Sequence, residues 1–508
     1  MAIRFVLKPS QYFDSVSLMN IAAELQRLAG IEDAALVMGT TANKTLLEAV
    51  APLTPAVQDA KSTDLIVLLV GDEATLPDAL VTVDRLLTEK PTATFNTGQS
   101  QPRTLRTAQR MSPHANLVMI SVAGEYAVAE AWAALHQGLN VFLFSDNVAL
   151  DDERHLKTYA IERNLLLMGP GAGTAIINGV GLGFANQVPH GTVGIVSAAG
   201  TGLQEVSSIL AQHGVGISQA IGVGGRDLSE TIGGLMTFHA INALQADPQT
   251  QFIVAISKLP ASHIAQQVMD RLAASGKPSV VIFMSAERPV PPDGIYLAET
   301  LEEAACFAAS LATGRDIKPS AGTLSVQYRF SPSQRYLRGL FSGGTLCEEA
   351  MRLWSQHIGD VWSNGPLLPH LKLPNSHHSH HHCAIDLGEE EFTLGRPHPM
   401  IDNTLRIQRL LQESHDPQVA VIQMDVVLGY GAHPNPAAEL GPAIAQARTI
   451  AQLDNRDLAV IVSITGTPND PQNYAQQKSL LEASGAVVAG SNAAASRLAV
   501  VAISGVHS

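Results

Sequence analysis

The chain has 508 residues, 46% of them hydrophobic and 15% charged, which is enough apolar material for several closed cores and excludes global disorder. Its net charge of −14, from 32 basic and 46 acidic residues, excludes a nucleic-acid binder of the whole-surface type. Three distant cysteines, Cys306, Cys347 and Cys383, give no disulfide framework. The start, Met1–Ser10, does not read as a signal peptide, and no apolar run approaches the ~18 residues of a membrane span. The expected setting is therefore cytoplasmic, with no membrane and no nucleic-acid partner.

In chain order, short apolar runs occur at Leu65–Val70, Leu117–Val122, Val141–Ser145, Leu165–Met168, Val193–Ser197, Phe252–Ser257, Ser279–Met284, Val419–Val426 and Leu458–Ile464. Most are rich in Val, Ile and Leu, lack period-2 alternation, and lead through a Gly-containing turn into an Ala-rich helical stretch. Strands buried on both faces have this pattern, so the spacing predicts parallel sheets covered by helices. Thr92–Ser112 is polar and reads as a mobile loop. Ala286–Asp293, with Pro289, Pro291 and Pro292, closes one series, and Thr313–Ser333 reads as a linker or a crossing segment. A new series starts at Leu337–Leu340. Boundaries fall near 190 and 325, giving domains 1–190, 191–325 and 326–508.

Several turns carry the pattern of an anion site. Gly191–Glu205 (GTVGIVSAAGTGLQE) is a buried strand, a small-residue turn and a helix start. There Ser197, Gly200, Thr201 and Gly202 offer close approach, hydroxyls and helix-start N–H groups to a phosphate; the alternative is a plain tight turn. Met168–Thr174 (MGPGAGT) places Gly169, Gly171, Gly173 and Thr174 in a second such turn, or in a crossing between domains. Ile221–Asp227 (IGVGGRD) adds Gly224, Gly225 and Arg226, whose guanidinium suits a carboxylate or phosphate, or a surface pair with Asp227. Gly343, Gly344 and Thr345 echo the first turn, again between an apolar strand and a helix.

The last third is richer in polar side chains. In Asp386–Asp402, Arg396 and His398 are candidates to grip an anion and to relay a proton, with Arg406 just beyond. The bland reading pairs both arginines with Glu389–Glu391. Asp425–His433 is a strand end with a glycine loop, where open α/β sheets place ligands. Lys44, in Met38–Leu47, is a candidate to face an anion or is simply solvated. The tract His377–His382 could bind a transition metal adventitiously, but it lacks a fixed metal-ligand spacing and has only Cys383 beside it, so no specific metal site is expected.

These segments, in this order, resemble the succinyl-CoA synthetase superfamily and, within it, the FdrA-type (YahF-like) proteins. The likeness is carried by Tyr12–Met19 (YFDSVSLM), MGTTANK, Asn116–Ala127 (NLVMISVAGEYA), Asn140–Val148 (NVFLFSDNV), IGVGGRDLSE, Arg338–Met351 (RGLFSGGTLCEEAM) and GRPHPMID. It spans nearly the whole chain. The resemblance implies an α/β protein: a Rossmann-like CoA-binding-type domain followed by two flavodoxin-like parallel-sheet domains. Residues 115–285 are similar to a synthetase α subunit and 337–508 to the C-terminal domain of a β subunit. CoA is implied as a possible ligand, with Lys44 as a CoA-type contact.

Two departures bear on activity. After Gly276–Met284 a synthetase carries its phosphohistidine in a GHAGA-type segment; here the chain continues SAERPVPPDG. Ser257-Lys258-Leu259-Pro260 replaces the acidic GEIGG-type segment that steadies that histidine. No ATP-grasp domain, and so no ATP site, is expected on this chain. FdrA-type proteins are implied to be a subunit of oxamate carbamoyltransferase in purine-derived allantoin catabolism. The main expectation is thus a transferase subunit that binds carbamoyl phosphate and a carboxylate substrate, within a homo-oligomer and with other protein subunits. Its alternatives are an acyl-CoA synthetase acting with a separate ATP-grasp partner, and a non-catalytic scaffold.

Overall fold

The computed structural model describes the chain outside residues 1, 12, 14, 89–101, 285–289, 321–327, 394–395 and 505–508. It divides into two compact units: Met1–Ala115 with Ser121–Tyr126 and Glu389–His398, and the remainder.

The first unit contains β1 (Ala2–Lys8), α1 (Ser15–Gln26), β2 (Ile31–Met38), α2 (Thr41–Val50), α3 (Pro55–Gln58), β3 (Leu65–Gly71), α4 (Leu76–Thr88) and α5 (Leu105–Met111). Its sheet runs β1-β3-β2 and is antiparallel throughout. That corrects the expectation of a parallel strand at Leu65–Val70. The strand is central and covered on both faces. Leu65, Val67 and Leu69 pack with Leu18, Leu25 and Val83, while Ile66, Leu68 and Val70 pack with Leu47, Leu53 and Val57. Full burial erases the alternation by which an antiparallel strand is usually recognised. Inside the expected loop Thr92–Ser112, the described part holds helix α5, opened by a reciprocal capping box between Thr104 and Thr107. Residues 92–101 of that loop lie outside the described residues.

The second unit begins with β4 (Leu117–Ile120), most of α6 (Gly124–His136), β5 (Asn140–Leu143), α7 (Leu150–Glu162) and β6 (Leu167–Met168), whose strands form a parallel sheet β4-β5-β6. There follow β7 (Thr174–Ile177), β8 (Val180–Gly183), β9 (His190–Ser197), α8 (Gly200–Gln212), β10 (Ile217–Gly222), α9 (Leu235–Ala246), β11 (Phe252–Ser257), α10 (Ser262–Ala274), β12 (Ser279–Phe283), β13 (Ile295–Leu297) and α11 (Leu301–Thr313). These strands make a seven-stranded sheet, β13-β12-β11-β9-β10-β7-β8, parallel except at the β7–β8 hairpin.

The last third has β14 (Tyr336–Phe341), α12 (Gly344–Ile358), β15 (Trp362–Ser363), β16 (Cys383–Asp386), α13 (Glu390–Thr393), α14 (Thr404–Ser414), β17 (Val419–Val427), α15 (Pro436–Leu453), β18 (Ala459–Thr465), α16 (Tyr474–Ala483), β19 (Val487–Ala489) and α17 (Asn492–Ser504). Its sheet is six-stranded and parallel, β15-β16-β14-β17-β18-β19. Helix α13 belongs to the first unit.

The protein is therefore an α/β chain with several parallel sheets. Residues 1–190, expected as one Rossmann-like domain, hold two sheets of their own and lend the β7–β8 hairpin to a third. The hairpin is drawn there because Ala220 of β10 pairs with Ile176, an edge pairing that no local pattern encodes. One apolar core runs through both large sheets and includes Leu203, Ile256, Leu346, Trp354 and Leu498. No helix among the described residues is long and apolar enough to cross a membrane.

Candidate functional site

The site is built at two strand ends. Strand β9 runs into Ala198-Ala199 and then α8. Ser197 Oγ accepts the Ala199 N–H at 3.0 Å and donates to the Ala199 carbonyl at 2.8 Å, fixing the turn from within. Strand β14 runs into Ser342-Gly343 and then α12. Asp425 at the end of β17 accepts the N–H groups of Ser342 (2.8 Å) and Gly343 (2.9 Å) and the Ser342 hydroxyl (3.0 Å). The first N–H groups of a helix have no acceptor within it, and both helix starts carry positive partial charge.

The two starts meet. A Cβ at Gly343 would stand 2.8 Å from Thr201 Cγ2, and one at Gly202 would stand 3.0 Å from Thr345 Cγ2. Glycine is needed at 343 for this approach, since its backbone (φ −114°) would accept any residue. Lys258, just past the end of β11, brings its Nζ to 3.0 Å from the Cβ position of Gly344 and to 4.0 Å from Glu348. Asp386 reaches the same position from the end of β16. Burial pushes the Glu348 carboxyl up, and Lys258 and Arg352 draw it back. Cys347 stands in the first turn of α12 and is buried. Burial pushes its thiol well above the ordinary range, and Asp386 adds to the shift.

The other expected glycine turns pack beside α8. Gly200 faces Gly173 and the Thr174 hydroxyl, each 3.9 Å from its Cβ position. That hydroxyl donates to the Phe184 carbonyl at 2.7 Å. Gly224 (φ +89°) lies against Gly169 and the Pro170 carbonyl, and Gly225 lies 3.8 Å from the Ala198 carbonyl. The Cβ position of Gly171 lies 3.5 Å from the Asp146 carboxylate.

The arginines chosen from sequence are committed elsewhere. Arg226 donates to the Val148 carbonyl and pairs with Glu153, each at 2.8 Å. It thereby joins a buried network in which Lys157 Nζ binds Glu153 and Asp227, both at 2.7 Å. Asp227 in turn accepts the Thr237 N–H at 2.8 Å. Arg396 pairs with Asp33 at 2.6 Å inside the first unit, to which His398 also belongs. Arg406 is 2% exposed and binds the Asp425 carboxylate (3.1 Å), the Asp425 carbonyl and the Leu340 carbonyl (3.4 Å). It supports the loop before α12 from beneath. Lys44 donates to the carbonyls of Gln58 (3.1 Å) and Ala60 (2.9 Å), again in the first unit. In the histidine tract, His381 Nδ1 lies 2.7 Å from the Tyr336 hydroxyl and His382 Nδ1 accepts the Leu337 N–H.

Sequence reading did not single out Lys258, Asp386 or Asp425 as site residues. The available signal was Lys258 itself, a cation standing where the synthetase pattern has an acid. The SAERP part of the segment lacking the histidine lies outside the described residues.

This fold and its paired helix starts define a succinyl-CoA synthetase-like protein. Family models match residues 190–286 as a CoA binding domain, 340–502 as CoA-ligase, and 1–104 as AllF, heavy metal-associated domain. The chain belongs to the FdrA-type family of YahF, being 43% identical to that Escherichia coli (strain K12) protein over 97% of each chain. It is also similar to the succinate–CoA ligase [ADP-forming] α subunit of Aquifex aeolicus, at 29% identity over 28% of this chain and 48% of that one. The corresponding α-2 mitochondrial subunit of Trichomonas vaginalis is 26% identical over 36% and 59%. The chain thus spans about half the length of these ligase subunits.

A heavy metal does not fit the domain named for one. Residues 1–104 contain no cysteine and no histidine, the thiolate and imidazole donors that soft metals take. Among the described residues, no group of three or more His, Cys, Asp or Glu side chains is placed to hold a metal ion.

Proposed function

We propose that this chain is the acyl-transfer subunit of a multi-subunit enzyme that takes a phosphorylated acyl donor, with carbamoyl phosphate as that donor. The observation that carries the reading is the contact of Thr201 with Gly343, which brings two glycine-led helix starts together beside Lys258. Helix-start N–H groups at Gly200–Gly202 and Gly344–Thr345 would hold the phosphate, and Lys258 would neutralise its charge. A small carboxylate substrate would receive the carbamoyl group as phosphate leaves. The chain has no histidine between Ser285 and Gly294 to carry a phosphoryl group. Arg226 and Arg406 are dropped from the transfer step because each is held by a fully buried carboxylate, and Arg396 because it pairs inside the first unit; Lys258 also has a carboxylate neighbour, Glu348 at 4.0 Å, but stands beside the paired helix starts.

The test is carbamoyl transfer by the assembly co-purified from its host, supplied with carbamoyl phosphate and no ATP or CoA. Turnover supports the reading; an absolute need for ATP and CoA overturns it. In the second case CoA is a substrate and the chain is a ligase subunit, the reading favoured by the CoA-ligase match over 340–502. Lys258→Met is expected to weaken carbamoyl phosphate binding about 10-fold in titration calorimetry, one charge-assisted contact being worth ~1.5 kcal/mol or more. Arg396→Ala is expected to leave that binding unchanged.

A further inference from the structure

The two large sheets repeat one plan. The strand order β13-β12-β11-β9-β10 of the first matches β19-β18-β17-β14-β16 of the second, element for element. In this correspondence α8 matches α12 and α11 matches α17. Each of α8 and α12 opens on a glycine and a threonine, and each carries a glutamate five residues after that glycine: Glu205 and Glu349.

Each glutamate caps the start of the other half's last helix. Glu205 on α8 accepts the N–H of Asn492, the first residue of α17, at 2.8 Å; its second oxygen accepts the Thr465 hydroxyl at 2.5 Å. Glu349 on α12 accepts the N–H of Leu301, the first residue of α11, at 2.7 Å; its second oxygen accepts the Asn492 side-chain amide at 2.8 Å. A carboxyl oxygen accepts a helix-start N–H whether or not the group is protonated, so each bond fastens one half to the other; what opposes ionisation is burial beside two further carboxyl groups, Glu302 included. Both side chains are buried, at 1% and 3% exposure.

We propose that Glu205 and Glu349 form a reciprocal, proton-linked clasp that holds the two halves together across an internal pseudo-twofold and loosens as the cluster loses its proton. The titratable groups facing Glu205 are Glu349 on α12, Glu302 on α11 and Tyr474 on α16, and Arg497 on α17 faces Glu349 and Glu302. Arg497 is engaged by Glu302 at 3.0 Å, and no Lys or Arg pairs with Glu205 among the described residues. Three buried carboxyl groups therefore share one cation. Burial pushes Glu205 from 4.5 up to about 7; Glu349 and Glu302 push the same way, and the bonds from Thr465 and Asn492 pull back. Burial also raises Glu349. A folded-state pKa above the unfolded value means that the folded state keeps the proton longer. Stability from this group is therefore lost as pH rises from 4.5 through about 7, and is flat above.

The test uses the intact protein, wild type and Glu205→Gln, which copies the protonated form: its amide oxygen accepts the Asn492 N–H, and its NH2 donates to the Thr465 hydroxyl, reversing that bond. Thermal midpoints are compared from about pH 5 to about pH 8. The variant's midpoint is expected to gain on wild type by roughly 3 °C or more across that range and then level off. In wild type alone, hydrogen exchange at Leu301 and Asn492, corrected for intrinsic rate, is expected to accelerate near neutral pH. Parallel midpoints in the two proteins, or exchange at those amides that ignores pH, overturns the clasp. Infrared difference spectra of wild type between the same pH values need no variant: a protonated-carboxyl band lost near neutrality supports the clasp, and no such band refutes it.

Discussion

Gly343→Val is expected to weaken carbamoyl phosphate binding about 100-fold, a loss of ~2.7 kcal/mol that matches the hydrogen bonds to a charged group one helix start supplies. Its backbone would take valine without strain, so the effect isolates one contact. The new Cβ would meet Thr201 at 2.8 Å, and α8 and α12 would have to part. Once they part, two positive helix starts no longer act on one phosphate. Gly200→Ala is the matched control. Its Cβ would find nothing nearer than 3.9 Å, and binding is expected to survive. Titration calorimetry on both variants separates the contact from the mere presence of glycine. Equal binding by wild type and Gly343→Val would remove the site from this place in the fold.

Asp425→Ala is expected to destabilise the fold by about 3–5 kcal/mol, the cost of leaving a buried charge without its partner. Asp425 is fully buried and serves four donors at once: two backbone N–H groups, the Ser342 hydroxyl and Arg406. Burial pulls the Arg406 guanidinium below its ordinary range, and Asp425 opposes that pull. Without the carboxylate the arginine is stranded, and the loop that launches α12 loses its anchor. Urea unfolding measures the loss. Adding Arg406→Met to the same chain is expected to restore part of it, since an apolar side chain of similar length needs no counter-charge. No recovery in the double variant would mean that the loop anchor, and not the stranded charge, dominates.

The buried parallel strands were legible because their cause is local. A strand covered on both faces must be apolar along its length, and Val193–Ser197, Phe252–Ser257 and Val419–Val426 all fall within strands β9, β11 and β17. The same rule misled at Leu65–Val70, because double burial does not specify strand direction. Strands β1 and β2, partly exposed on one face, carry a weaker pattern and were not anticipated. The paired glycine turns were legible too, as a repeated strand–Gly–Thr–helix phrase.

The role of each arginine was not legible. Arg226, Arg396 and Arg406 have the chemistry of anion grips, yet their partners Glu153, Asp33 and Asp425 lie 73, 363 and 19 residues away along the chain. The sequence by itself determined the α/β class, the glycine-led helix starts and the absence of a histidine between Ser285 and Gly294, because these depend on residue type and near neighbours. Only the tertiary structure decided that two such starts touch, that Lys258 joins them, and that Glu205 and Glu349 cap each other's halves. Those facts depend on which distant side chain satisfies a buried charge, and charge pairing across a folded core leaves no periodic trace in the chain.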